Sequence, residues 1–121
     1  MKNTLFLFTL ILGISFAGPQ AKTVKIDLKT FKKEVIGKEV QLVDVRSVEE
    51  YRAGHIDDAI NIPIDPSDAF VQKFQELHKE KPVYIYCKAG GRSNKASKKL
   101  EDMGFQIIYD FSGGYSSWIE Q

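Results

Sequence analysis

The chain has 121 residues, 43% hydrophobic and 27% charged, with 17 basic residues against 16 acidic ones. That length suits one domain, and the composition suits a packed core rather than disorder. A formal net charge of +1 leaves no basic excess for nucleic acid and no acidic tail.

Residues 1–17 read as a secretory signal peptide. Lys2 supplies a positive start, Leu5 to Phe16 is almost wholly apolar, and Ser15-Phe16-Ala17 offers small residues for cleavage. The apolar run of about 12 residues is well short of the roughly 20 that a membrane-spanning helix needs. Its removal is expected to leave a short extension, 18–22, before a domain over 23–121. That domain would lie free of the membrane, in a periplasm or outside the cell.

From there strands and helices alternate. Val24-Lys25-Ile26 reads as a short strand. Asp27 can cap a helix that puts Leu28, Phe31 and Val35 on one face and stops at Gly37. Val40 to Val45 is a buried strand, interrupted only by Gln41 and Asp44. Ser47 and Glu50 form a capping box for a short helix ending near Gly54. Ala59-Ile60-Asn61-Ile62 is a strand closed by Pro63. Asp65-Pro66 opens a helix with proline at its first position and Phe70, Phe74 and Leu77 on its apolar face. Val83 to Tyr86 is β-branched and aromatic and reads as a central strand. Ser93 to Met103 is a helix with Ala96, Leu100 and Met103 at helical spacing, and Gly104 stops it. Gln106 to Tyr109 is the last strand. Ser112-Gly113-Gly114 turns into a terminal helix carrying Tyr115 and Trp118. Five strands alternating with helices predict an α/β sandwich on a mostly parallel sheet. Such sheets bind ligands beyond the carboxyl ends of their strands, where Cys87 lies.

Cys87 is the only cysteine. One cysteine cannot close an internal disulfide, so in an exported protein it is either a buried small hydrophobe or a reactive thiol. The residues after it favour the second. In Tyr86-Cys87-Lys88-Ala89-Gly90-Gly91-Arg92-Ser93, a strand end leads through a glycine-containing loop into a helix N-terminus. Free amides and the helix dipole both favour negative charge there, and the same field lowers a thiol's pKa. Gly90 and Gly91 would let the loop turn its N–H groups inward. Lys88 and Arg92 add positive charge, and Arg92 could fork onto two oxygens of an oxyanion.

On these residues the chain resembles the rhodanese family, the single-domain sulfurtransferases. The resemblance runs from about Val40 to the C-terminus. Leu42-Val43-Asp44-Val45-Arg46, Glu50-Tyr51, Gly54-His55-Ile56 and Ala59 to Pro63 resemble the family's first signature. Tyr86 to Ser93 resembles its active-site loop, and Gly113-Gly114 with Trp118 its C-terminal signature. Where the family often has glycine, this chain has Asp58, a residue type that tolerates a left-handed turn.

The resemblance implies a three-layer sandwich around a five-stranded sheet, with helices on both faces. It also implies that Cys87 takes a sulfane sulfur from a small anionic donor such as thiosulfate. Cys87 would then hand it, as a persulfide, to cyanide, a thiol or a sulfur-accepting protein. Lys88, Ala89, Gly90, Gly91, Arg92 and Ser93 would bind the substrate, with no metal or organic cofactor. A persulfide carrier or anion-binding module without turnover is an alternative. A cysteine phosphatase or arsenate reductase is another, but those loops place five residues between cysteine and arginine, and here there are four.

Other polar residues have structural readings. Asp44 is expected to tie down a neighbouring loop. Arg46 is expected to pair with Glu50 or to reach the Cys87 loop. His55 reads as a hydrogen-bonded turn residue and His78 as solvent-facing. Phe70, Phe74, Tyr115 and Trp118 read as core, and Lys32, Lys33, Lys98 and Lys99 as solvated helix faces. Two histidines and one cysteine give no ligand cluster for a metal.

Overall fold

A computed structural model describes residues 20–121. The proposed signal peptide, 1–17, lies outside the described residues. Five strands, β1 (Lys22–Ile26), β2 (Gln41–Asp44), β3 (Ile60–Asn61), β4 (Val83–Tyr86) and β5 (Ile107–Phe111), form one sheet in the order β1-β5-β4-β2-β3. Every pairing is parallel. Among the described residues there are five helices, α1 (Leu28–Val35), α2 (Val48–Ala53), α3 (Ala69–Phe74), α4 (Gly91–Asp102) and α5 (Gly114–Ile119).

Side chains alternate across the sheet because successive Cβ atoms on a strand point to opposite faces. On β4, Val83 and Ile85 join a cluster with Phe70 and Phe74 of α3 and Ala96 and Leu100 of α4. Tyr84 and Tyr86 join the opposite cluster with Phe31 and Val35 of α1, edged by Tyr115 and Trp118 of α5. The sheet is therefore the middle of three layers. All four residues of β4 are buried, as befits the central strand of a parallel sheet covered on both faces.

Local signals held where the partners are near in sequence. The Asp27 carboxylate accepts from Thr30 N at 2.9 Å at the start of α1. Ser47 and Glu50 make the expected reciprocal box at α2. The third helix differs from its expectation. It begins at Ala69 rather than Pro66, because the Asp65 carboxylate accepts from Ser67 N at 2.7 Å and closes a separate turn first. Leu77 lies beyond its end and packs half-buried on the core. The strand around Ile60 is only two residues long. α4 begins two residues before Ser93, and β5 runs on to Phe111. The left-handed residue after Gly54-His55-Ile56 is Asp57, φ 28°, rather than Asp58. Lys99 is half-buried, not solvated: its ammonium reaches the Asp65 carbonyl and lies over the Phe70 ring.

Candidate active site

Cys87 follows the last residue of β4, so the sheet's central strand delivers the thiol to the carboxyl edge. The chain then bends through Lys88, Ala89 and Gly90 into α4. Gly90 has φ 101°, and a Cβ there would run into the Ser112 carbonyl oxygen. Only glycine fits that conformation at that approach. Gly91 is different: it is the first residue of α4, with open space where a Cβ would go. The bend expected of two glycines rests on one.

The loop's backbone groups are divided by direction. Its carbonyls face α5: Tyr115 N donates to Cys87 O at 2.8 Å, and Ser116 N to Lys88 O at 3.0 Å. Gly114, φ 61°, allows this, since a Cβ on it would strike those same carbonyls. An amide faces the sulfur instead, with Gly90 N donating to Sγ at 3.1 Å. The Ser93 hydroxyl lies 3.5 Å from Sγ on the α4 side and donates to Gly90 O at 3.2 Å. Burial pushes the thiol up. Hydrogen bonds from the Ser93 hydroxyl and from the Ser93, Gly90 and Ala89 amides outweigh it, and Cys87 ends below the ordinary thiol value. The arrangement favours a thiolate on a residue only 1% exposed.

The expected fork on an oxyanion is closed in this structure. Arg92 spends both guanidinium arms on Glu50, with Nη2 to Oε2 at 2.9 Å and Nη1 to Oε1 closer still. Glu50 is thus both the capping residue of α2 and the anchor of α4. Lys88 is exposed and enters no ion pair among the described residues.

Arg46 neither pairs with Glu50 nor reaches the Cys87 loop. It is 3% exposed and clasps the buried Asp44, with Nη2 to Oδ2 at 2.7 Å. Its Nη2 also donates to Gly54 O at 2.7 Å, and its guanidinium lies 4.1 Å above the Tyr115 ring. Asp44 accepts the Arg46 backbone N–H at 2.9 Å, the tie-down expected of it. This cluster joins the end of β2 to α2 and α5 beneath the site. His55 stacks on Tyr51 and meets its carbonyl at 3.0 Å; His78 is solvent-facing.

Three contributors were not foreseen. The Tyr86 hydroxyl accepts from Ile56 N at 3.0 Å, and the Asn61 amide donates to Asp44 O and Arg46 O. Asp110 is buried one strand away. Tyr86 and Asn61 fall on expected strands, whereas Asp110 lies one residue past the strand expected to end at Tyr109. Their partners follow from strand order, which local pattern does not encode.

A groove of about 280 Å³ borders the loop, with Lys88, Arg46, Glu50, Gly54 and Tyr115 among its lining residues. A larger cleft, about 430 Å³, opens near Gln41, His78 and Tyr84, but it holds no thiol. The site belongs at the strand carboxyl ends, where the thiol and amides converge. Among the described residues no cluster of His, Cys, Asp and Glu could hold a metal ion.

The family model for the rhodanese-like domain matches residues 27–121. The chain belongs to the rhodanese-like family. An uncharacterized Bacillus subtilis protein is 38% identical over 81 residues, covering 67% of this chain and 62% of that protein. A thiosulfate sulfurtransferase of Shewanella oneidensis is 32% identical over 83 residues, covering 69% of this chain and 79% of its own. Among solved structures, a human single-domain sulfurtransferase superposes with TM-score 0.66 at 25% identity, over 86% of this chain and 98% of that one. This rhodanese-like chain therefore spans less than two thirds of the first relative and most of the other two.

Proposed function

We propose that this rhodanese-like protein is a sulfurtransferase that uses thiosulfate or a similar anionic sulfane donor. The observation that carries the reading is the buried Cys87 sulfur, 3.1 Å from the Gly90 N–H, with its thiol pulled below the ordinary value. The thiolate attacks the outer sulfur of thiosulfate. A Cys87–sulfur bond forms, the sulfur–sulfur bond of the donor breaks, and its electron pair leaves with sulfite. Cyanide or a thiol then takes the outer sulfur and returns the thiolate. The inward amides offset the negative charge of thiolate and persulfide in turn. Lys88, free of any ion pair among the described residues, supplies mobile positive charge for the donor. Arg92 acts through Glu50 by fixing the first turn of α4, on which Ser93 sits. The family membership and the similarity to a thiosulfate sulfurtransferase support this assignment.

The proposal includes export: cleavage behind Ala17 sends the domain to a periplasm or beyond the cell, and the short extension, expected over 18–22, ends where β1 begins at Lys22. The expected physiological partners are a small anionic donor and a thiol or protein acceptor.

Full-length expression with native export, followed by intact-mass measurement before and after thiosulfate, tests both statements. The expected product starts at Gly18 and gains one sulfur atom, and Cys87→Ser gains none. Adding cyanide should then release thiocyanate. Persulfide without thiocyanate would replace the catalyst with a carrier, and no added sulfur would remove the sulfane reading. An uncleaved N-terminus would remove the export reading.

A further inference from the structure

Asp110 has no part in the chemistry just described, yet it shares the α4-covered face of the sheet with Ile108, two residues before it, and with Ile85, its partner in register. It sits on β5, opposite Ile85 of β4 and Lys25 of β1. It is 0% exposed, and among the described residues neither carboxyl oxygen has a hydrogen-bond partner. An ionised carboxylate left bare in such a place is costly, so the neutral acid is favoured. Burial raises the Asp110 carboxyl and outweighs the opposite pull of the Ser93 hydroxyl, which is not within hydrogen-bond geometry of it and lies 3.5 Å from the Cys87 sulfur. Ser93 is itself buried, on the first turn of α4.

We propose that Asp110 is a positioning residue: held as a neutral acid, it bonds Ser93 and turns the Ser93 hydrogen onto the sulfur of Cys87. The proposal rests on the reading of Cys87 as the nucleophile. In the resting thiol, S–H points to Ser93 Oγ, whose own hydrogen goes to Gly90 O at 3.2 Å. When the thiol gives its proton to solvent, the sulfur changes from donor to acceptor. The Gly90 N–H already serves it. For Ser93 to serve it too, its hydrogen must leave the Gly90 carbonyl, while its oxygen has just lost the S–H donor. The acid O–H of Asp110 has no other bond to break and fills that place. The resulting chain runs Asp110 O–H to Ser93 O–H to Cys87 S⁻, and its only net change is the proton released to water. Of the charged groups nearby, Lys25 on β1 favours the ionised form of Asp110, and Arg92 on α4 acts on Cys87. Neither bonds Asp110, and β4 presents only Ile85 opposite it.

Because Cys87 is the only cysteine, ultraviolet thiolate absorbance reports it alone once a Cys87→Ser blank is subtracted for tyrosine. Asp110→Val should raise the midpoint by about one pH unit, a tenfold loss of thiolate below it. Asp110→Asn keeps a donor facing Ser93 and should stay within about threefold of wild type. Ser93→Ala should match Asp110→Val, and combining the two should add nothing further. The proposal is overturned if Asp110→Val leaves the midpoint in place, or if Asp110→Asn moves it as far as valine does. An equal shift from Asp110→Val in the Ser93→Ala background also overturns it. Should the valine protein fail to fold, Asp110→Ala carries the same expectations. The titration uses no sulfur donor, so its outcome is independent of whether thiocyanate forms.

Discussion

At the residue scale, the two adjacent glycines of the loop separate conformation from composition. Gly90 occupies the left-handed region, and its missing Cβ is what lets the Ser112 carbonyl approach. Alanine there would meet the strain of a left-handed L-residue, about 1–2 kcal/mol, plus that collision. The chain relieves both by moving Gly90 N away from the sulfur, so persulfide formation should fall at least tenfold while the sheet survives. Gly91→Ala enters open space at a helical position and should gain a few tenths of a kcal/mol to about 1 kcal/mol of stability. Single-turnover persulfide formation and urea denaturation of the pair read the two effects. Equal loss in both variants would mean that the loop needs glycine for mobility rather than for its bend.

At the element scale, the site rests on three chain ends tied by one side chain. Arg46 joins β2, α2 and α5 through Asp44, Gly54 and the Tyr115 ring. Asp44 is wholly buried, so Arg46→Ala leaves its carboxylate without its counter-charge. Breaking a buried pair from one side costs about 3–5 kcal/mol, a loss measurable by urea denaturation. Arg46→Lys should recover little, since an ammonium offers neither the fork nor the flat face for Tyr115. Full recovery by lysine would reduce Arg46 to a point charge. This cluster also marks where sequence reading stopped. The Ser47–Glu50 box, the Asp27 cap and the Cys87 loop were legible because each closes within a few residues. Arg46 was expected to find Glu50 or the Cys87 loop, but it folds back on Asp44 at its own strand end. Arg92 then takes Glu50 from 42 residues away. Strand order decides such pairings, and periodicity shows which face a strand buries without showing what lies beside it.

At the scale of the whole molecule, two carboxyls should pull the pH dependence of stability in opposite directions. Hydrogen bonds from Arg92 hold Glu50 down at about 2, from an ordinary 4.5. A carboxyl depressed in the fold contributes stability above its unfolded value and loses it as pH falls through the folded one. Glu50 therefore supports the fold down to about 4.5 and yields between there and about 2, by an amount that solvent screening keeps small. Burial raises Asp110 above 3.8, and for it the sign reverses. Its contribution is complete below 3.8 and is lost as pH climbs through the raised folded value, because the unfolded chain ionises more easily than the native one. Acidifying through the raised folded value of Asp110 thus relieves it, while Glu50 begins to fail only below about 4.5. The thermal midpoint of the wild-type protein should rise over that window. Asp110→Asn should be nearly flat across it, and both should fall together as pH approaches 2. Thermal unfolding followed by circular dichroism reads both curves. Parallel curves would mean that Asp110 ionises in the native state as it does in the unfolded chain, and the acid behind Ser93 would then be a carboxylate.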